Sequence, residues 1–259
     1  MNLSSFRRPK LAFHAVQLAC LLPAATLFAA DGPTPAPYGS LDGLTIDKPE
    51  DTQSVEPVPA PEGAIVLFDG KSLENWTAMD GKSPAKWTVL DGGILEVKPG
   101  GGNILSKVLQ EGDFKLHVEF RIPYLPTRHG QDRGNSGIYV QGRYEVQVLD
   151  AYHNDTYADG MCGAIYTIEP PKVNACKAPT IWQSYDIEFH AAKFEGGKKT
   201  EPGRMTVVWN GQKVHDDTKL TKDNTTSGRG GDPSTAAPLM LQDHGSPDQF
   251  RNIWMVPLK

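Results

Sequence analysis

Cysteine and basic charge are both scarce in this chain: 259 residues hold three Cys, and 26 Lys and Arg stand against 31 Asp and Glu, a formal net charge of −5. The basic footprint of a nucleic-acid binder is therefore missing. The sequence also lacks a Walker-type phosphate loop, a dinucleotide fingerprint and a His pair at helical spacing, which removes the common nucleotide-binding and helix-borne zinc classes. Gly228-Arg229-Gly230-Gly231 reads as a flexible loop rather than a phosphate cradle. No stretch after residue 30 carries the period of a long amphipathic helix. What remains is an acidic chain of short apolar segments cut by 26 Gly and 21 Pro.

The first segment is of a different kind. Arg7, Arg8 and Lys10, with no acid, precede an apolar run over residues 11–30 that ends in Ala29-Ala30. This is the layout of a secretory signal peptide. Cleavage near Ala30 would place the protein in the periplasm or outside the cell, with no stable membrane span. Gln17 stands where a lipid-acceptor site at Cys20 would need an aliphatic residue, so a lipoprotein is the lesser reading. Removing the leader takes away three basic residues and no acid, and leaves Cys162 and Cys176 as an even pair. In an oxidising compartment such a pair is expected as a disulfide worth about 3 kcal/mol, with two free thiols as the alternative.

Residues 31–61 are rich in Pro, Gly, Ser and acids and poor in large apolar side chains, which predicts a disordered or extended linker. Residues 62–259 then form one domain. Along 113–122, Phe114, Leu116, Val118, Phe120 and Ile122 alternate with Lys115, His117, Glu119 and Arg121, the period of a strand with one buried face. Tyr185, Ile187 and Phe189 alternate in the same way, as do Tyr144, Val146 and Val148. Asp91-Gly92-Gly93 and Asn210-Gly211 sit between strand-like runs and predict hairpins. Many short strands with Gly and Pro turns imply an all-β sandwich of two antiparallel sheets, or a jelly roll. When the 144–148 strand buries Val146 and Val148, its pleat must present Glu145 and Gln147 on the opposite face.

Several separated motifs carry more than periodicity. They are Leu67-Phe68-Asp69-Gly70, Gly134-Asn135-Ser136-Gly137, the run from Tyr144 through Glu145 and Gln147 to Asp150, Cys162-Gly163-Ala164-Ile165-Tyr166, Trp182 to Phe189, Gln242-Asp243-His244-Gly245, and Arg251-Asn252. In this order they resemble the 3-keto-disaccharide hydrolase domain family over about residues 62–259. The resemblance implies a concanavalin-like jelly-roll fold and cleavage of glycosides whose sugar bears a ketone at carbon 3. It implies Glu145 and His244 as catalytic groups, and Asp150 joins them through a second likeness, to the glucanases. Asn135, Gln147, Arg133, Tyr166, Glu188, Gln242, Asp243, Arg251 and Asn252 are the implied substrate contacts.

Glu145 and Asp150 also look like the outer carboxylates of the concanavalin-like glucanases. That pairing would need a bulge near Leu149, because residues five apart on a plain strand face opposite ways. A ketone at carbon 3 allows a different route. A base removes the acidified proton on carbon 2, and the enolate expels the carbon 1 substituent before water adds back. Glu145 and His244 are the candidate bases, and Arg133, Arg143 and Arg251 the candidate cations. Asp150, Asn154, Asp155 and Asp159 gather oxygen ligands that would suit a structural calcium, although a solvated acidic loop accounts for them as well. A carbohydrate-binding module on the same fold stays open, since Tyr139, Tyr166, Trp182 and Trp254 could stack on sugar rings. So does a scaffold domain in an extracellular assembly. Oligomeric state is not legible in the sequence.

Overall fold

The computed structural model describes residues 38–258, so the expected signal peptide over 1–30 lies outside the described residues. In chain order the strands are β1 (Ile65–Phe68), β2 (Trp76–Ala78), β3 (Thr88–Leu90), β4 (Ile94–Glu96), β5 (Ile104–Gln110), β6 (Phe114–Arg121), β7 (Ser136–Val140) and β8 (Tyr144–Val148). They continue as β9 (Gln183–His190), β10 (Lys193–Glu195), β11 (Lys198–Glu201), β12 (Arg204–Trp209), β13 (Gln212–Lys219), β14 (Ala237–Leu241) and β15 (Gln249–Pro257). An eight-stranded sheet runs β13-β12-β9-β6-β15-β4-β3, with β1 also paired to β15. A five-stranded sheet runs β2-β5-β14-β7-β8, and β10-β11 is a separate ribbon. Neighbours pair antiparallel, and the helical content of the described residues is three short 3-10 turns.

The alternation read from the sequence builds the core between the two sheets. Phe114, Leu116, Val118 and Phe120 of β6 and Tyr185, Ile187 and Phe189 of β9 meet Tyr144, Val146 and Val148 of β8, with Ile138, Val140, Leu239 and Leu241 beside them. Each large apolar side chain removed from water there stabilises the fold by about 1.5–3 kcal/mol. Both expected hairpins form. Leu90 pairs with Ile94 across Gly92 and Gly93, and Trp209 pairs with Gln212 across Asn210 and Gly211, whose φ values of 50° and 79° suit a tight primed turn.

The second face of β6 departs from expectation. His117 and Glu119 are 1% and 0% exposed. The cause is the segment 38–61, the described part of the expected linker, which is laid across the eight-stranded sheet and hydrogen-bonded there. Glu119 Oε1 accepts the Val58 N–H at 3.0 Å, and the Val58 carbonyl accepts from Asn252 Nδ2 and Trp254 Nε1 at 2.5 and 3.1 Å. Further along, the Tyr38 hydroxyl donates to the Pro247 carbonyl at 2.8 Å, and Arg121 lies between the Tyr38 and Trp182 rings. A Pro-rich composition kept this stretch from making a ladder, but its backbone groups found side-chain partners instead.

The expected disulfide is not formed in this structure, where Cys162 and Cys176 stand as free thiols. Cys162 lies in the core with its Sγ 3.2 Å from the Tyr185 hydroxyl, while the Cys176 N–H is held by Asn174 Oδ1 on another loop. Burial pushes both thiols up to about 12.

Candidate active site

The pleat of β8 places Glu145 and Gln147 on the side of the five-stranded sheet that faces away from the core. There they meet Gln131 and Asn135 from the segment before β7, Tyr166 and Ser227 from two loops, and Gln242 and His244 from the end of β14. The space these eight residues enclose is about 40 Å³. A cavity needs about 10–15 Å³ on this measure to hold one water, so the enclosed part has room for a polar group the size of a water or a hydroxyl.

Glu145 is 2% exposed. Burial pushes its carboxyl up to about 8, and the Tyr139 phenol, its cross-strand neighbour, offsets this only in part. A glycine makes the geometry possible. A Cβ on Gly137, the residue of β7 opposite Gln147, would stand 2.3 Å from Glu145 Oε1 and 3.0 Å from its Cδ. The carboxyl therefore folds back over a position that must lack a side chain. Gly137→Ala is expected to displace the Glu145 carboxyl and cut turnover by about 10²-fold, the low end of a general acid–base contribution, and to lower the melting temperature as well, because the same Cβ would stand 2.7 Å from the buried Tyr139 ring. Unchanged turnover would show that the carboxyl does not work from this position.

His244 is exposed at the rim. Its loop is tied down by Asp243, whose Oδ2 accepts the Gly102 N–H at 2.9 Å and whose own N–H donates to Asn103 Oδ1 at 2.9 Å. Asp243 thus holds the loop that carries His244 and does not line the pocket. Tyr166, which does, is linked through its hydroxyl to that of Tyr157.

Five of the remaining expected residues lie elsewhere. Asp150 is engaged with Arg133, Nε to Oδ2 at 2.9 Å, and both are buried. The Asp150 Oδ1 accepts the Tyr152 N–H at 3.0 Å, and Arg133 Nη2 donates to the Tyr152 carbonyl. Burial pushes Asp150 up to about 6 against the pull of Arg133. No bulge turns it toward Glu145, because the strand ends at Val148 and Leu149 goes into the core. Neither Asp150 nor Arg133 is in the pocket, so the catalytic and substrate-contact roles expected for them are not supported.

Arg251 and Asn252 are on the other sheet, where they donate to Glu119 at 2.6 and 2.7 Å and hold segment 38–61. Burial pushes Glu119 up, but its bonds to His117, Asn252, Arg251 and the Val58 N–H outweigh this and hold it at about 2. Glu188 also belongs to that sheet, paired with Lys115 at 3.3 Å and His190 at 3.1 Å. A larger cavity of about 380 Å³ lies there over Ile187, Val208 and Trp254. Its charged rim is engaged in the Lys115–Glu188 and His117–Asp186 pairs.

The oxygen-rich loop does not fit a calcium. Asn154 bridges Gly130 and the Asp150 carbonyl through both ends of its amide, and Asp150 is tied to Arg133. Among the described residues no group of three His, Cys, Asp or Glu side chains is placed to hold a metal ion. Of the four aromatic residues expected to stack on sugar, Tyr166 alone lines the pocket among the described residues. Tyr139 is fully buried, Trp182 lies under Arg121 and Arg251, and Trp254 stacks on His117.

Gln131 and Ser227 were not anticipated. Gln131 comes from a one-turn 3-10 segment (Gly130–Asp132) and Ser227 from a loop, so neither has a periodic signal.

Among curated proteins, no sequence matches this one. Solved structures do. A Parabacteroides distasonis ATCC 8503 protein, provisionally assigned as a glycosyl hydrolase, shares 37% identity at a TM-score of 0.68, covering 82% of this chain and 97% of its own. A second protein of that organism with the same provisional assignment shares 25% identity at a TM-score of 0.53, covering 75% and 99%. The model of the 3-keto-alpha-glucoside-1,2-lyase-like domain matches residues 63–256. The sandwich, the polar pocket on its five-stranded sheet and a family match spanning most of the chain agree: the protein belongs to the 3-keto-alpha-glucoside-1,2-lyase-like domain family and is of the carbohydrate-active enzyme type.

Proposed function

We propose that this protein cleaves 3-keto-glycosides by elimination followed by hydration, and that it does so outside the cytoplasm after removal of its leader. The observation that carries this reading is the pairing of one buried carboxyl, Glu145, with the exposed imidazole of His244 across one small polar pocket. Among the described residues Glu145 is the only carboxyl lining that pocket. Two-carboxylate retaining hydrolysis needs a partner about 5–5.5 Å away, and Asp150 is engaged with Arg133.

A 3-keto sugar dispenses with the second carboxylate. His244 takes the proton from carbon 2, and its electron pair moves into the enolate between carbons 2 and 3. The bond from carbon 1 to the glycosidic oxygen then breaks. Glu145, pushed up to about 8 by burial, is protonated at neutral pH and gives its proton to the departing oxygen. Water adds to the resulting double bond, with hydroxyl to carbon 1 and a proton to carbon 2. The amides of Gln147, Gln242 and Asn135 bind hydroxyls around the reacting carbons.

The test is turnover of a 3-keto-glucoside beside its unoxidised parent, followed against pH. Cleavage of the ketone alone is expected. Because Glu145 acts as an acid, turnover should fall as pH rises through about 8. Binding of both sugars without cleavage of either would instead indicate a carbohydrate-binding module.

A further inference from the structure

Two amide oxygens in the pocket have no donor among the described residues. Gln147 is 1% exposed, and its Nε2 donates to the Gly160 carbonyl and to Gln131 Oε1, each at 3.1 Å. A backbone carbonyl can only accept, so the orientation of the amide is settled by chemistry. Its NH2 faces inward, and Oε1, which receives no hydrogen bond, faces the pocket.

Gln131 is fixed by the same carbonyl. Its Nε2 donates to Gly160 at 2.9 Å and to Thr156 Oγ1 at 2.8 Å, leaving its Oε1 to accept from Gln147. Gln242, 7% exposed and just past β14, has a hydroxyl rather than a carbonyl as partner, and its amide orientation follows from the Tyr139 hydroxyl being bonded on its other side to Glu145. Its Nε2 donates to the Tyr139 hydroxyl at 2.9 Å, and its Oε1 is without a donor. A buried acceptor without a partner is destabilising. Two of them aimed into one cavity beside Glu145 mark a place where a ligand supplies the missing donors.

We infer that Gln147 Oε1 and Gln242 Oε1 form a hydroxyl reader, accepting hydrogen bonds from two free hydroxyl groups of the bound sugar ring. The reader selects neutral polyhydroxy rings. It disfavours rings that are deoxygenated or O-alkylated at the positions read, and rings carrying a carboxylate there, because a carboxylate presents acceptors to acceptors. The inference rests on the reading of this pocket as the sugar site, and it specifies the ring that the site takes.

The test compares a 3-keto-glucoside with its 4-deoxy and 6-deoxy counterparts by kcat/KM. Dissociation constants of the corresponding unoxidised glucosides are measured beside them by calorimetry. Leaving a buried acceptor bare should lower kcat/KM for at least one deoxy sugar by about 10–100-fold. Gln147→Met and Gln242→Met keep side-chain size and remove the acceptor. In the variant whose acceptor faces the missing hydroxyl, the ratio of parent to deoxy sugar should fall to within about threefold of one, since nothing is then left unpaired.

The deoxy series on the unaltered protein decides the matter even if neither variant folds. Equal handling of all sugars, or a ratio unchanged in both variants, would overturn the inference. If no 3-keto-glucoside is cleaved, the proposed reaction falls, while calorimetry still decides the reader: discrimination among the unoxidised sugars supports it, and equal affinities overturn it.

Discussion

Glu145→Gln is expected to slow single-turnover cleavage of a 3-keto-glucoside by about 10²–10⁴-fold, the range of a general acid–base contribution, and at the same time to raise the melting temperature. The second half follows from the first by linkage. The folded protein holds the Glu145 proton up to about pH 8, whereas the unfolded chain releases it near 4.5. A raised carboxyl means that the native state binds more protons, so this group subtracts stability as pH climbs from about 4.5 to 8. Glutamine does not titrate and escapes that cost. At pH 7 the gain is on the order of 2–3 kcal/mol, or about 5–10 °C for a domain of this size. At pH 4 the variant and the parent should melt alike. Asp248, fully buried and pushed up to about 8 by burial with no hydrogen-bond partner for its carboxyl, acts in the same direction and is left in the variant. The pH dependence should therefore become shallower without vanishing. A carboxyl held for structural reasons would behave oppositely, losing stability on replacement.

Arg133→Met is expected to do the reverse, lowering stability strongly with the pocket residues untouched. It removes the partner of Asp150, a side chain 1% exposed. Breaking a buried pair from one side costs about 3–5 kcal/mol. For a domain of about 200 residues this is a fall of roughly 10 °C in melting temperature. The loss should ease below about pH 6, where Asp150 takes up a proton and no longer needs the cation. If Asp150 were instead a working acid with Arg133 tuning it, turnover would collapse while the melting temperature held.

The contrast between these two acids explains which parts of the molecule were legible in the sequence. Alternation assigns Val146 and Val148 to the core and Glu145 and Gln147 to the opposite face, and the structure agrees because a strand has no other way to divide its side chains. Asp150 lies past the end of that strand, where periodicity no longer constrains direction, and the motif-level likeness to a second catalytic acid proved misleading. Asn252 is marked in the sequence by the resemblance alone, and Arg251 by the resemblance and by its charge. Their polar groups serve Glu119 and Val58, a use that presupposes segment 38–61 lying on the sheet. That segment reads as a linker because it lacks large apolar residues, yet it is held by main-chain groups, which composition does not report. Gln131 was missed for a similar reason: a single 3-10 turn has no pattern, and its role rests on the Gly160 carbonyl twenty-nine residues away in sequence. His244 was reachable through the resemblance, and the geometry adds the tether through Asp243 and Asn103 that keeps it at the rim.

The central claim, elimination across carbons 1 and 2 of a 3-keto sugar with His244 and Glu145 at the reacting centre, is tested most directly by running the reaction in deuterium oxide. The product is trapped by reduction before spontaneous exchange, and its label is located by mass spectrometry. Elimination and hydration place one deuterium on carbon 2 of the released sugar, at a rate that His244→Ala lowers together with cleavage, and the unoxidised parent glycoside stays intact. Release of a sugar with no deuterium at carbon 2, or equal cleavage of the parent glycoside, would contradict the account.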